Sequence, residues 1–298
     1  MAYLMGVDVS EHNSDEYVGV WNPKTSYNKG ARFAIIKAGD GASNRIPFID
    51  PWWERHYALA LSVFPLGAYW FWRPECDPIS QANLFSTAIK NKTLKIPLIF
   101  DVERNDYSIP ANVVADKLAA TLAAFKSSNP NKKVMIYTRM SFWNVNVATR
   151  SFWKDYYLFA ARYPEPQPNL NEESPWWDGK YKPREGEWNN WDMWQATEEL
   201  PGKEWGSGSS YMDGDLFNGD QRAFDIFIGN IVVGIPKYIY VSNPTGMNLI
   251  DITNGIKYGL LPQGTQLLVN GTYTDAKGIV WYKVGKHYID SRYVKPLI

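Results

Sequence analysis

Eight short runs of strand-forming residues punctuate the first 217 positions, at 5–9, 33–38, 66–71, 97–103, 134–138, 157–162, 193–197 and 213–217. Several are nearly continuous in apolar residues, as strands of a parallel sheet are when both faces are covered. Several of the segments between them have helical period. From 111 to 127, Val114, Leu118, Leu122 and Phe125 recur at three- or four-residue steps, with Pro110 before them and Asn129-Pro130 just after, which predicts a helix with a core-facing stripe. Strands alternating with helices predict the α/β class, specifically a modified (β/α)8 TIM-like barrel. In such a barrel, reactive groups gather at the carboxyl ends of the strands.

The chain is 298 residues long, more than one barrel of roughly 200 to 250 residues requires. After Ile228-Gly229-Asn230 the pattern changes to short strands and tight turns, such as Asn243-Pro244-Thr245-Gly246 and Asn270-Gly271. The expected division is a barrel over 1–230 and a small all-β domain over 236–298. The connection 164–192 has no clean period and carries Trp176, Trp177, Trp188 and Trp191. A long irregular connection after a barrel strand is expected to wall one side of a binding groove.

Charge and composition remove several function classes. Lys plus Arg and Asp plus Glu both number 31, so no overall basic field argues for nucleic acid. The balance conceals an asymmetry: from 235 onward seven basic residues face three acidic ones. The single Cys76 excludes an internal disulfide, and no catalytic partner for its thiol is evident in the sequence. His12, His56 and His287 are far apart, without metal-ligand spacing, so no metal or cofactor is expected. The N-terminus lacks the basic and apolar regions of a signal peptide, and no run of 18 apolar residues occurs. The expectation is a chain made without a Sec signal and not inserted into membrane.

The chemistry concentrates in Leu98-Ile99-Phe100-Asp101-Val102-Glu103. Residues two apart in a strand point the same way, about 6.6 Å along the chain, so Asp101 and Glu103 are expected on one face of a strand's carboxyl end. Two carboxyl groups in a water-poor mouth cannot both ionise easily. One then keeps its proton towards neutral pH, as glycosidic cleavage requires of its acid. Alone, Asp-x-Glu is a common strand ending. Asp8 in the first strand and Asp213 at the start of the last give it company, since first and last strands are neighbours in a closed barrel.

With these residues the chain resembles the family 25 glycoside hydrolases, the Chalaropsis-type lysozymes common among phage endolysins. The likeness runs over about 4–220, through Gly-Val-Asp-Val-Ser (6–10), Ala-Ile-Ile-Lys-Ala (34–38), Gly-Ala-Tyr (67–69), Leu-Ile-Phe-Asp-Val-Glu (98–103), Ile-Tyr-Thr (136–138) and Trp-Gln-Ala-Thr (194–197). It implies hydrolysis of the β-1,4 bond between N-acetylmuramic acid and N-acetylglucosamine in bacterial peptidoglycan. It further implies Glu103 as general acid/base with Asp101, Asp8 and Asp213 around it. Either Asp101 or the substrate's own 2-acetamido group is the nucleophile, and the substrate-assisted route is the preferred one. Tyr69, Tyr137 and Trp194 are implied pocket members. Trp70 and Asp40 depart from the family's usual residues and are expected to flank the groove.

Other tryptophans after strands, Trp52, Trp53, Trp72 and Trp143 among them, have flat faces suited to sugar rings, although core packing explains any one of them as well. His12, just past Asp8, is a weaker candidate for substrate contact. The tail 236–298 resembles a bacterial SH3-like wall-binding domain, expected to dock on anionic wall polymer or peptide stems. The leading expectation is an endolysin, held in the host cytoplasm until release to the wall. The alternatives are a virion-associated lysozyme for entry and a wall-binding protein on an inactive barrel.

Overall fold

The computed structural model describes residues 3–17, 19–42, 46–168, 170, 181–184, 186–230 and 238–296. The chain forms two compact units, 1–220 and 221–298. In the first, the elements run β1 (Leu4–Val9), α1 (Pro23–Asn28), β2 (Phe33–Asp40), β3 (Phe48–Ile49), α2 (Trp53–Ala60), β4 (Leu66–Phe71), α3 (Pro78–Ala88) and β5 (Leu98–Asp101). They continue with α4 (Ala111–Ser128), β6 (Val134–Arg139), α5 (Met140–Asn146), β7 (Tyr157–Ala161), β8 (Met193–Pro201) and β9 (Tyr211–Phe217).

Eight of these strands close on themselves in the order β1-β9-β8-β7-β6-β5-β4-β2, and pairing of β2 with β1 completes the ring. Seven run parallel. The eighth, β9, is antiparallel to both neighbours. The barrel is thus a modified form of the (β/α)8 pattern, with one strand reversed. The link from β8 to β9 is too short for a crossover and carries only a single 3-10 turn, Gly202–Trp205, so the chain must reverse. The reversal has a functional consequence: it brings the start of β9, with Asp213, to the same rim as the end of β1, with Asp8, and the two residues are register partners.

Alternation along each strand sorts the residues into two cores. Ala34, Ile36, Ala68, Trp70, Phe100, Ile136, Leu158 and Trp194 face out against the helices. Helix α4 forms where its period predicts, from Pro110 to a stop at Asn129, and buries Val114, Leu118, Leu122 and Phe125. The Phe125 ring stacks 5.1 Å from Phe85 of α3 and meets Phe100 of β5 edge-on at 5.2 Å, which ties both helices to the wall below the rim. Large aromatic rings buried this way each stabilise the fold by about 1.5–3 kcal/mol. Inside the barrel, Gly6 lies so close to the Phe33 ring that a Cβ there would stand 2.2 Å from it. Its bare backbone lets Phe33 fill the space that any side chain would occupy.

Among its described residues the second unit holds helix α6 (Gln221–Phe227) and eight strands, β10 (Tyr238–Val241), β11 (Met247–Ile250), β12 (Lys257–Leu261), β13 (Gln266–Leu268), β14 (Gly271–Thr274), β15 (Val280–Val284), β16 (His287–Asp290) and β17 (Val294–Pro296). They form two antiparallel sheets, β13-β10-β17 and β12-β11-β16-β15-β14. A compact apolar centre of Ile239, Val241, Val269, Tyr282, Ile289 and Val294 lies within this unit. No helix among the described residues is long and apolar enough to cross a membrane.

Candidate active site

At the carboxyl ends of the parallel strands the barrel opens into a cavity of about 560 Å³, with Asp8, Asp101, Glu103 and Asp213 all in its lining. Their placement follows from the period of two: Asp8 ends the inward row of β1, Asp101 that of β5, and Asp213 begins that of β9. Strand β5 stops at Asp101, so Glu103 stands on the loop beyond it. The same alternation brings in Lys37 from β2, Tyr69 and Phe71 from β4, Tyr137 from β6 and Gln195 from β8.

A hydrogen-bonded chain holds Asp8. The phenols of Tyr137, at 2.7 Å, and of Tyr163 both donate to Gln195 Oε1. This fixes the amide, whose Nε2 donates to Asp8 Oδ2 at 2.8 Å. Behind Asp8 sits Asp215, wholly buried, with neither carboxyl oxygen bonded to a donor. Lys37 is the buried cation of this group, 3.4 Å from Asp40 and 3.6 Å from Glu11.

Burial raises the pKa of five of these acids, Asp8, Asp101, Glu103, Asp213 and Asp215. Burial is the largest cause at Asp8 and lifts it to about 6, against the pull of its bond from Gln195. Asp101 lies well above the usual carboxylate range through burial, then the charges of Glu103 and Asp8, with Lys37 opposing. Asp213 and Asp215 are raised well above it by burial and by Asp8. Glu103 is also raised by burial, while Arg139 and Arg104 hold it back. Glu103 and Asp213 are half-buried while Asp8, Asp101 and Asp215 are buried, and of the five Glu103 is the least enclosed by protein. The site therefore offers a reachable carboxylic acid at the rim, with further acids that share protons and negative charge beneath it. That is the equipment for protonating a leaving oxygen while a positive centre develops on the opposite side of the bond. Among the described residues no three such groups converge as metal ligands would.

Several expected residues lie elsewhere. Trp70 and Trp194 are fully buried on the outer face of the barrel. The Trp70 indole N–H donates to Gln81 of α3 at 3.3 Å and the Trp194 N–H to the Arg162 carbonyl at 2.7 Å. Their neighbours Tyr69 and Gln195 take the inward positions, because one step along a strand reverses the face. Asp40 is also corrected: it pairs with Arg73 at 3.2 Å and with Lys37, and does not line the cavity. Trp53, Trp72 and Trp143 are core residues, and Trp52 stacks on His56. Trp188 and Trp191 are buried within the barrel unit, whereas Trp176 and Trp177 lie outside the described residues. The rings that face the cavity belong instead to Tyr69, Phe71, Tyr137, Phe142, Phe159 and Tyr163. His12 lines it as well. Cys76 does not, and burial pushes its thiol up to about 11. Asp215 was legible by counting two from Asp213, and Gln195 by counting two from Thr197, whereas Tyr163 and Arg139 had no signal.

Residues 7–205, well over half of the chain, match the family described as glycosyl hydrolases family 25. The chain belongs to this family. A family 25 glycosyl hydrolase from Bacillus anthracis shares its fold, with 20% identity, a TM-score of 0.55, and 74% of this chain and 92% of that one covered. The Clostridium perfringens spore cortex lytic enzyme SleM is similar over 99% of this chain and 98% of its own, at 19% identity and a TM-score of 0.58. The modular Cpl-1 endolysin, solved with a peptidoglycan analogue, is 15% identical with a TM-score of 0.51, covering 96% of this chain and 75% of that one. No curated protein matches the chain. For this family 25 hydrolase, membership fits the acid-lined mouth that the barrel builds.

Proposed function

We propose that this hydrolase is a peptidoglycan muramidase, cutting the β-1,4 bond between N-acetylmuramic acid and N-acetylglucosamine. The observation that carries the reading is Glu103, a half-exposed carboxyl with a raised pKa on the rim of an open cleft, beside the more deeply buried Asp101. Glu103 donates its proton to the leaving oxygen and then, as carboxylate, takes one from water. Asp101, close enough to Glu103 to feel its charge, orients and stabilises the substrate's 2-acetamido group as it attacks the anomeric carbon. Asp8, held by Gln195 and by a hydrogen bond from the protonated Asp213, adds negative potential beneath the developing oxocarbenium ion. The preferred biological role is that of an endolysin. The all-β tail 236–298, SH3-like in its sequence, serves as the wall-binding domain.

Mass spectrometry of muropeptides released from purified cell wall tests the assignment. New reducing ends at muramic acid support it. New ends at glucosamine make the enzyme a glucosaminidase, and release of peptides alone refutes glycosidase action. Glu103→Gln lowers turnover on the order of 10²-fold or more, since proton transfer by a positioned acid is worth about that much.

A further inference from the structure

A second cavity, of about 480 Å³, lies alongside the first and shares Arg139 and Tyr163 with it. Three arginines line it, Arg139, Arg162 and Arg184, and among the described residues Glu165 is the one acidic group in its lining. Elsewhere in the chain Arg73, Arg104, Arg150 and Arg292 each hold a carboxylate. Among the described residues no carboxylate forms an ion pair with Arg162 or Arg184, and Arg139 feels the charges of Glu103 and Glu198 without a direct ion pair to either. Two of the three are held by aromatic faces: the Arg139 guanidinium lies 4.7 Å from the Tyr163 ring centre and that of Arg162 lies 6.0 Å from Tyr181. Arg162 also donates to the Lys182 carbonyl. Planar forks fixed in this way, with donors still to satisfy, suit a carboxylate or a phosphate.

The sugar rings of peptidoglycan carry no net charge that such a cavity could serve. The anions nearest the scissile bond are those of the peptide stem, which leaves from the lactyl ether on the muramic ring that is being cut. We propose that this second cavity binds a carboxylate of that stem, with Arg162 and Arg184 as the recognising groups and Arg139 at the junction with the catalytic cavity. The proposal takes its substrate from the muramidase reading. The test therefore reads binding rather than turnover, so a failure of hydrolysis and a failure of this site are told apart.

Full-length chain is titrated by NMR with three probes: N-acetylmuramyl-L-alanyl-D-glutamate, the same compound with both glutamate carboxyls converted to amides, and peptide-free disaccharide. The acidic probe is expected to bind the native chain about tenfold to a hundredfold more tightly than its amide, the usual span for charge-assisted hydrogen bonds. Arg162→Gln/Arg184→Gln removes that preference and leaves affinity for the peptide-free disaccharide unchanged, which controls for misfolding. The exposed single variant Arg184→Gln lowers the preference without touching any hydrogen bond within the barrel. Equal affinity for acid and amide, or a preference that survives the double variant, overturns the proposal. Inorganic phosphate that displaces the acidic probe at equal concentration overturns the stem assignment in favour of a phosphate-bearing wall polymer.

Discussion

Replacing Asp8 by asparagine should make the barrel more stable, and by an amount that depends on pH. In the folded chain the Asp8 carboxyl titrates at about 6, against 3.8 for an unperturbed group, chiefly because it is buried. Below pH 3.8 both states hold the proton, so the group costs the fold nothing. As pH rises towards 6 the unfolded chain releases a proton that the folded chain retains, and stability falls by about 1.4 kcal/mol per pH unit. Over this interval the loss reaches about 3 kcal/mol and then levels off. Asparagine keeps the oxygen that accepts the bond from Gln195 Nε2 but has no proton to lose. Asp8→Asn should thus match the native chain near pH 4 and exceed it by about 3 kcal/mol at neutral pH, while losing activity because charge beneath the site is gone. Urea unfolding followed by tryptophan fluorescence measures this on the barrel itself, since Trp281 alone of the 14 tryptophans lies in the second unit. A stability difference that stays the same from pH 4 to pH 7, or a variant that becomes the weaker as pH rises, would refute the reasoning.

Asp215→Asn, at a carboxyl that burial and Asp8 keep protonated, should leave the fold intact and stabilise it increasingly as pH rises; a loss of stability at neutral pH in the same urea assay would show that the native group is ionised. Gln195→Leu strips the acceptor from the Tyr137 and Tyr163 phenols and the donor from Asp8, so it should cost about 1–3 kcal/mol or more and raise the Asp8 pKa further, a shift visible by carboxyl NMR. Trp70→Phe and Trp194→Phe should lower the melting temperature with KM for glycan unchanged, because both rings lie outside the barrel; a raised KM would return them to the groove. Removing 236–298 should weaken sedimentation with whole cell walls and spare hydrolysis of soluble glycan, and unchanged sedimentation would reduce the tail to a structural appendage.

The elements best read from the sequence were those set by local pattern. Strand runs and the 114-118-122-125 stripe are matters of period, so β2, β4 and α4 fall where their residues predict. Two consecutive aromatics are harder. Tyr69 and Trp70 are both strand-forming and both large, and neither propensity nor hydropathy says which one turns inward. Nor does the sequence alone reveal that β9 reverses, because an antiparallel strand and a parallel one share the same alternation.

What the sequence determined by itself was the existence of the strands, the helix periods and the position of Asp8, Asp101 and Glu103 near the ends of their runs. Only the tertiary structure decided which acids meet. Barrel closure pairs β1 with β9 and sets Asp213 opposite Asp8 across more than 200 residues of chain, and it brings Gln195, Tyr137 and Tyr163 to the same carboxylate. The physical reason lies in range. Secondary structure answers to neighbours a few positions away, whereas raised pKa values depend on burial and on charges that converge from strands far apart in sequence.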